Sequence, residues 1–256
     1  TLYKGQLEII QASCVFPKGI QPEKVTLARP DLKQTEPIKT SKQARMYANF
    51  EYKTKASHNT YFMQSGELSA ILELGKEPFT LYKVNDPQLT YDRKITSITT
   101  AGPIKVGIGT LVSQPFVESR PYSFGVTLAN NLDWNGNLKK LEEIYVYIPP
   151  LFYLDGEQQF GDKQFTSTCA FDPTGQIDQD GFKIYKLKES LLTQTNKECD
   201  KATLKSSSLT EQQCIDLFGK NRDMTFRCNF KIPTLSEGPG LQYDFIRAEA
   251  TYIYQT

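Results

Sequence analysis

The chain has 256 residues, more than one average domain and fewer than three, and its hydrophobic content of 39% supplies two cores of unequal size. Its 30 basic and 29 acidic side chains nearly cancel, with no long run of either sign, so a nucleic-acid footprint has no electrostatic support. No 18-residue apolar stretch occurs, so nothing in the sequence as it stands crosses a bilayer as a helix.

Taken in chain order, runs of period two with turn residues at their ends predict strands at 3–13, 45–52, 67–74, 104–108, 122–128, 143–148, 181–187, 224–232 and 241–254. Residues 53–60, which carry the single histidine, His58, read as a polar turn. A Gly102-Pro103 break after Thr99-Thr100 predicts a boundary between an N-terminal β-sandwich module, 1–100, and a C-terminal one, 101–256. The closing run is the clearest: Ile246, Ala248, Ala250, Tyr252 and Tyr254 share one face, and Arg247, Glu249 and Thr251 the other. One short helix is expected where Ser208 stands three residues before Glu211, ahead of Ile215, Leu217 and Phe218 and a stop at Gly219. The fold class expected is all-β, two sandwiches, the second with an insertion, 172–223, that holds this helix. The sequence starts at Thr1 without methionine and stops at Thr256 inside a strand-like run, which reads as a piece of something longer.

Four of the five cysteines, Cys169, Cys199, Cys214 and Cys228, lie within 60 residues without a CxxC spacing, which favours disulfides and an oxidising compartment. Of three connectivities, the preferred one joins Cys169 to Cys228, each in a strand pattern, and Cys199 to Cys214 across a polar loop. Cys14 is left over, either a buried thiol or one with a partner elsewhere.

From Gly102 onward, Pro103-Ile104-Lys105-Val106-Gly107-Ile108, then Gln114-Pro115-Phe116, then Tyr122-Ser123-Phe124-Gly125-Val126-Thr127-Leu128-Ala129-Asn130 resemble the opening strands of immunoglobulin-like modules in archaeal and bacterial surface proteins. The resemblance covers about the first third of the second module. It implies a surface-exposed β-sandwich of the kind strung in series on cell envelopes, with adhesive, scaffolding or filament roles, and it identifies no ligand. The absence of any Asn-x-Ser/Thr sequon counts against a heavily glycosylated coat.

The chemical inventory is thin. Acyl or phosphoryl transfer needs a base, usually histidine, and His58 reads as a solvated loop residue. Asp178 and Asp180-Gly181 form a fragment of a calcium loop, but the distal glutamate is missing and a plain β-turn accounts for them. Glu142 and Glu143 are adjacent on a strand, face opposite ways and cannot flank one glycosidic bond. No metal, cofactor or catalytic residue is expected. Aromatic residues remain: Tyr145, Tyr147, Phe152 and Tyr153 offer a contact face, although strand tyrosines and phenylalanines also build cores. Trp134, the only tryptophan, is a contact residue if exposed and a cover for the sandwich end if tucked in. The expected function is that of a noncatalytic extracellular or cell-surface protein used in adhesion, scaffolding or assembly. Its partners would be other envelope proteins, copies of itself or carbohydrate, with any membrane attachment outside this sequence. The rival expectations are a secreted carbohydrate-active enzyme and a viral or filament structural subunit.

Overall fold

Two long strands from opposite ends of the described chain lie side by side at the middle of the larger of two sheets. The computed structural model describes residues 48–134, 136–155, 169–197, 223–232, 235 and 240–255. All of them belong to one compact unit, 47–256. The expected strand at 3–13, Cys14, the helix near 208–219 and the Cys199–Cys214 bridge lie outside the described residues.

The elements in order are β1 (Asn49–Met63), α1 (Ser65–Glu73), α2 (Pro78–Leu81), β2 (Ile98–Thr99), β3 (Ile104–Thr110), β4 (Phe116–Val117), β5 (Pro121–Asn130), β6 (Asn137–Ile148), β7 (Tyr153–Leu154), β8 (Phe171–Ile177), β9 (Lys183–Leu187), α3 (Glu189–Lys197), β10 (Met224–Lys231) and β11 (Gln242–Gln255). The larger sheet runs β2-β1-β11-β6-β9-β8, with β4 added in parallel to the end of β1. The smaller sheet runs β3-β5-β10-β7 and is antiparallel throughout. β1 pairs with β11 from Asn49↔Gln255 to Phe62↔Gln242, so one sheet runs across the boundary expected near residue 100.

Alternation in β11 follows the sequence reading: Ile246, Ala248, Ala250, Tyr252 and Tyr254 are all buried, and Arg247 and Glu249 face outward. The inner faces of both sheets feed one hydrophobic core. Its rings meet across the sheets, with Phe116 against Phe230 at 5.3 Å and Phe124 stacked on Phe171 at 6.4 Å. Cys169 and Cys228 form a disulfide inside this core. Cys228 belongs to β10 of the smaller sheet and Cys169 leads into β8 of the larger, so the bridge ties the two sheets together. Beside it, Ala170 donates its N–H to Arg227 and accepts from Lys188, linking the same two sheets by backbone.

Three sequence expectations are corrected. Residues 67–73 lie in helix α1, with Leu74 as its C-cap, and are not strand: Ile71 is its buried residue, and Gly75, at φ 64°, ends it while the Lys76 N–H returns to the Ile71 carbonyl. Leu, Ala and Glu are good helix formers, and alternating spacing over eight residues does not outweigh them. Residues 53–60 are not a turn but the middle of β1, and His58 is fully buried there. A helix the sequence reading left out, α3, lies within the expected insertion 172–223 and has Leu192 buried against the core.

The sheet edges are blunted. β2 and β7 have two residues each. The far side of β1 between β2 and β4 is closed by Gln114, whose Oε1 accepts the Tyr61 N–H at 2.7 Å. β8 carries Pro173, which has no N–H, and an irregular register between Pro173 and Ile177.

Candidate functional site

The strongest concentration of interacting side chains is the outer face of the larger sheet. Period-two alternation sends Lys53 and Lys55 of β1, Arg247 and Glu249 of β11, Glu143, Tyr145 and Tyr147 of β6, and Lys186 of β9 to this one side. Register then sets neighbours, with Glu249 opposite Lys55 on one flank and Tyr145 on the other. Glu249 bridges two lysines, with Lys53 Nζ at 2.7 Å and Lys55 Nζ at 3.1 Å. Burial pushes its carboxyl up, but the two ammonium groups outweigh that and hold it below the usual carboxylate range. Lys186 Nζ reaches Glu143 at 2.9 Å, which holds the Glu143 carboxyl low, and the same ammonium lies 5.6 Å from the Tyr145 ring centre.

Next to this row, the Arg247 guanidinium stands over three rings, Phe182 at 4.4 Å, Tyr147 at 5.1 Å and Phe245 at 5.7 Å. It also pairs with Asp178 and, at 3.4 Å, with Asp180. These carboxylates are the ones the sequence presented as a calcium-loop fragment. Asp178 Oδ1 instead accepts the N–H groups of Asp180 and Phe182, capping the β8–β9 turn, and Oδ2 goes to Arg247. Among the described residues, no three His, Cys, Asp or Glu side chains are grouped to hold a metal ion.

The five aromatic residues singled out from the sequence do not form one site. Tyr145 and Tyr147 lie together on this outer face, half-buried. Phe152 is completely buried in the core against Phe62 and Phe230. Tyr153 is on β7 of the other sheet, with Lys183 Nζ 4.3 Å above its ring. Trp134 is partly exposed at the β5–β6 turn and meets Tyr52 edge-on at 5.7 Å, so it covers the end of β1. Each of the three half-buried tyrosines therefore carries a cation over one ring face, leaving at most the other free for a partner.

The single imidazole is sealed. His58 Nε2 lies 3.4 Å from Gln114 Nε2, and its Nδ1 makes no hydrogen bond, although the Ile108 carbonyl is close enough to favour protonation. Burial overrides both that carbonyl and the nearby Asp86 carboxylate and lowers the ring to about 4. Asp86 itself accepts from Asn59, the Tyr61 hydroxyl and the Gln88 N–H, an arrangement that holds the loop before β2 against β1.

These features define the chain's class: a protein mostly of β-structure, with two sheets around one core, a disulfide between the sheets and a paired aromatic and ionic outer face. No protein-family model, no curated protein and no solved structure matches the chain.

Proposed function

We propose that this chain is a noncatalytic extracytoplasmic protein that works by surface contact, in adhesion, scaffolding or assembly at a cell envelope. The observation that carries the reading is the Cys169–Cys228 disulfide, placed inside the core and between the two sheets, a construction that belongs to oxidising compartments. The same two-sheet arrangement supports an immunoglobulin-like module. The outer face of the larger sheet suits a broad polar contact, since its tyrosines and ion pairs are fixed in place before any partner arrives. Partners that fit are other envelope proteins, copies of this chain, or carbohydrate stacking on an uncovered tyrosine face. Contact through faces is favoured over strand addition, because β2 and β7 are short, β8 is interrupted by Pro173, Gln114 covers part of β1, and the β3 edge has the Ile104 and Ile108 N–H groups taken by the Tyr252 hydroxyl and Ser97 Oγ.

The test is to treat intact cells of the native source with an impermeant protease and, in parallel, to map the thiols of the recovered chain. Surface cleavage together with an oxidised Cys169–Cys228 pair is the expected result. A protected chain with free thiols at both positions would overturn the reading.

A further inference from the structure

The segment between β1 and β2 packs a second, small core against the end of β1 and the residue before β11: Phe79 and Ile95 with Tyr61, flanked by Val84, Leu89 and Leu241. Beyond that core it projects a short hairpin, closed by the Leu89–Ile95 bridge and by Thr90, whose hydroxyl donates to the Lys94 carbonyl at 2.7 Å. The loop after β3 is fastened to this hairpin at two points. Ser113 Oγ donates to the Asp92 carbonyl at 2.7 Å, and the Gln114 N–H donates to the Arg93 carbonyl at 2.8 Å. The two loops thus form one tip, anchored from beneath by the Gln114 side chain on β1.

What this tip presents is apolar. Tyr91 is 105% exposed, as open as an isolated residue, Leu111 is 64% exposed and Val112 43%. A large side chain standing clear of the fold gains nothing from intramolecular packing, and these three sit on two loops tied to each other one and two residues away. The charge beside them is unbalanced. Asp92 is taken up by Lys94 at 2.8 Å, and no acidic group pairs with Arg93 among the described residues. The hairpin therefore carries one surplus positive charge, from Asp92, Arg93 and Lys94 together.

We propose that this double-loop tip is a docking point for an anionic lipid surface. A bilayer interface deforms around exposed apolar side chains and buries them at headgroup depth. Tyrosine suits that depth because its ring is apolar and its hydroxyl stays hydrated. Arg93 meets lipid phosphate bidentately, and the negative surface of an anionic leaflet draws the surplus charge in. Three side chains give a weak single contact, so the attachment is reversible for one molecule and strong only where several are arrayed. This inference is separate from the compartment reading and stands or falls without it.

The experiment is vesicle flotation of the whole chain at low salt, using phosphatidylcholine alone and phosphatidylcholine mixed with phosphatidylserine. The wild type is expected to float with the mixed vesicles and to lose most of that binding in high salt. The double variant Y91S/L111S is expected to bind at least about tenfold more weakly while keeping the wild-type melting temperature, since neither side chain is packed. R93Q is expected to weaken binding to the mixed vesicles more than binding to phosphatidylcholine alone, since it removes a phosphate contact in both and the charge attraction only in the first. Absence of wild-type flotation with the mixed vesicles, or equal flotation of Y91S/L111S, overturns the proposal. Retained binding to a protein partner by a wild type that ignores vesicles would count as the same refutation.

Discussion

Gln114 and His58 fix each other's roles across 3.4 Å of buried space. The Gln114 carbonyl oxygen is committed to the Tyr61 N–H, which turns its amide nitrogen toward His58 Nε2 and the Asn59 carbonyl. A donor facing Nε2 requires that nitrogen to accept, so the neutral ring carries its proton on Nδ1.

Stability is therefore linked to this ring. The folded His58 titrates near 4 and the unfolded one near 6.5, so between those values the unfolded chain takes up a proton that the folded chain refuses. The contribution is complete above 6.5 and is lost as pH falls toward 4, amounting to about 3 kcal/mol. Urea midpoints of the wild type and of His58→Gln at pH 7 and pH 5 measure it. The wild type should lose more stability than the variant on acidification, and parallel losses would show that other groups carry the effect.

Gly136, just before β6, is predicted to be the least tolerant of a methyl group among the glycines of the described residues. A Cβ there would lie 2.3 Å from the Gln255 carbonyl oxygen and 2.6 Å from Tyr254 Cε1, and the first of these is backbone at the end of β11. Gly136→Ala should cost about 2–4 kcal/mol in chemical denaturation. Gly109→Ala serves as the control, because nothing lies within 4 Å of its Cβ position, and its change should stay within about 0.5 kcal/mol.

Reduction of Cys169–Cys228 releases a constraint on a chain segment 59 residues long. On a loop-entropy model the oxidised bond contributes about 4 kcal/mol. The Cys169→Ala/Cys228→Ala variant should show that loss in its denaturation midpoint, and added reductant should then have no further effect through this pair. A variant as stable as the oxidised wild type would contradict the account.

Arg247→Lys tests whether the outer-face cluster depends on shape or on charge. Lysine keeps the charge opposite Asp178 but cannot lie flat against Tyr147, Phe182 and Phe245. A loss of about 1 kcal/mol relative to the wild type is expected, with Arg247→Ala losing no more than about 1 kcal/mol beyond that. Equal stability of Arg247→Lys and the wild type would assign the cluster to simple ion pairing.

The sequence showed β11 plainly because, from Ile246 to Tyr252, its inward positions are apolar and the positions between them, Arg247, Glu249 and Thr251, are polar. It found the start of β1 but hid the part from Lys53 onward, because that stretch turns Thr54, His58 and Thr60 inward. Those polar groups find partners supplied from far along the chain, the Tyr252 hydroxyl at 2.7 Å from Thr54 and the Asp244 carbonyl at 2.8 Å from Thr60, which no local pattern displays. The aromatic run 145–153 looked like one surface, yet a turn after β6 drives Phe152 into the core and places Tyr153 on the other sheet. The tip formed by Tyr91, Leu111 and Val112 left no trace in the sequence, since its two halves are joined only by tertiary hydrogen bonds. Three exposed apolar residues in two separate loops are unremarkable until those bonds bring them together.

The central place of β11, between β1 and β6, also orders events during synthesis. β1 and β6 are both translated before β11, and each must wait for that later strand. Until then the two long ladders of the larger sheet cannot close, and unpaired backbone stays open to the wrong neighbours. A nascent chain of this design depends on being kept apart from its copies until its final described strand has been made.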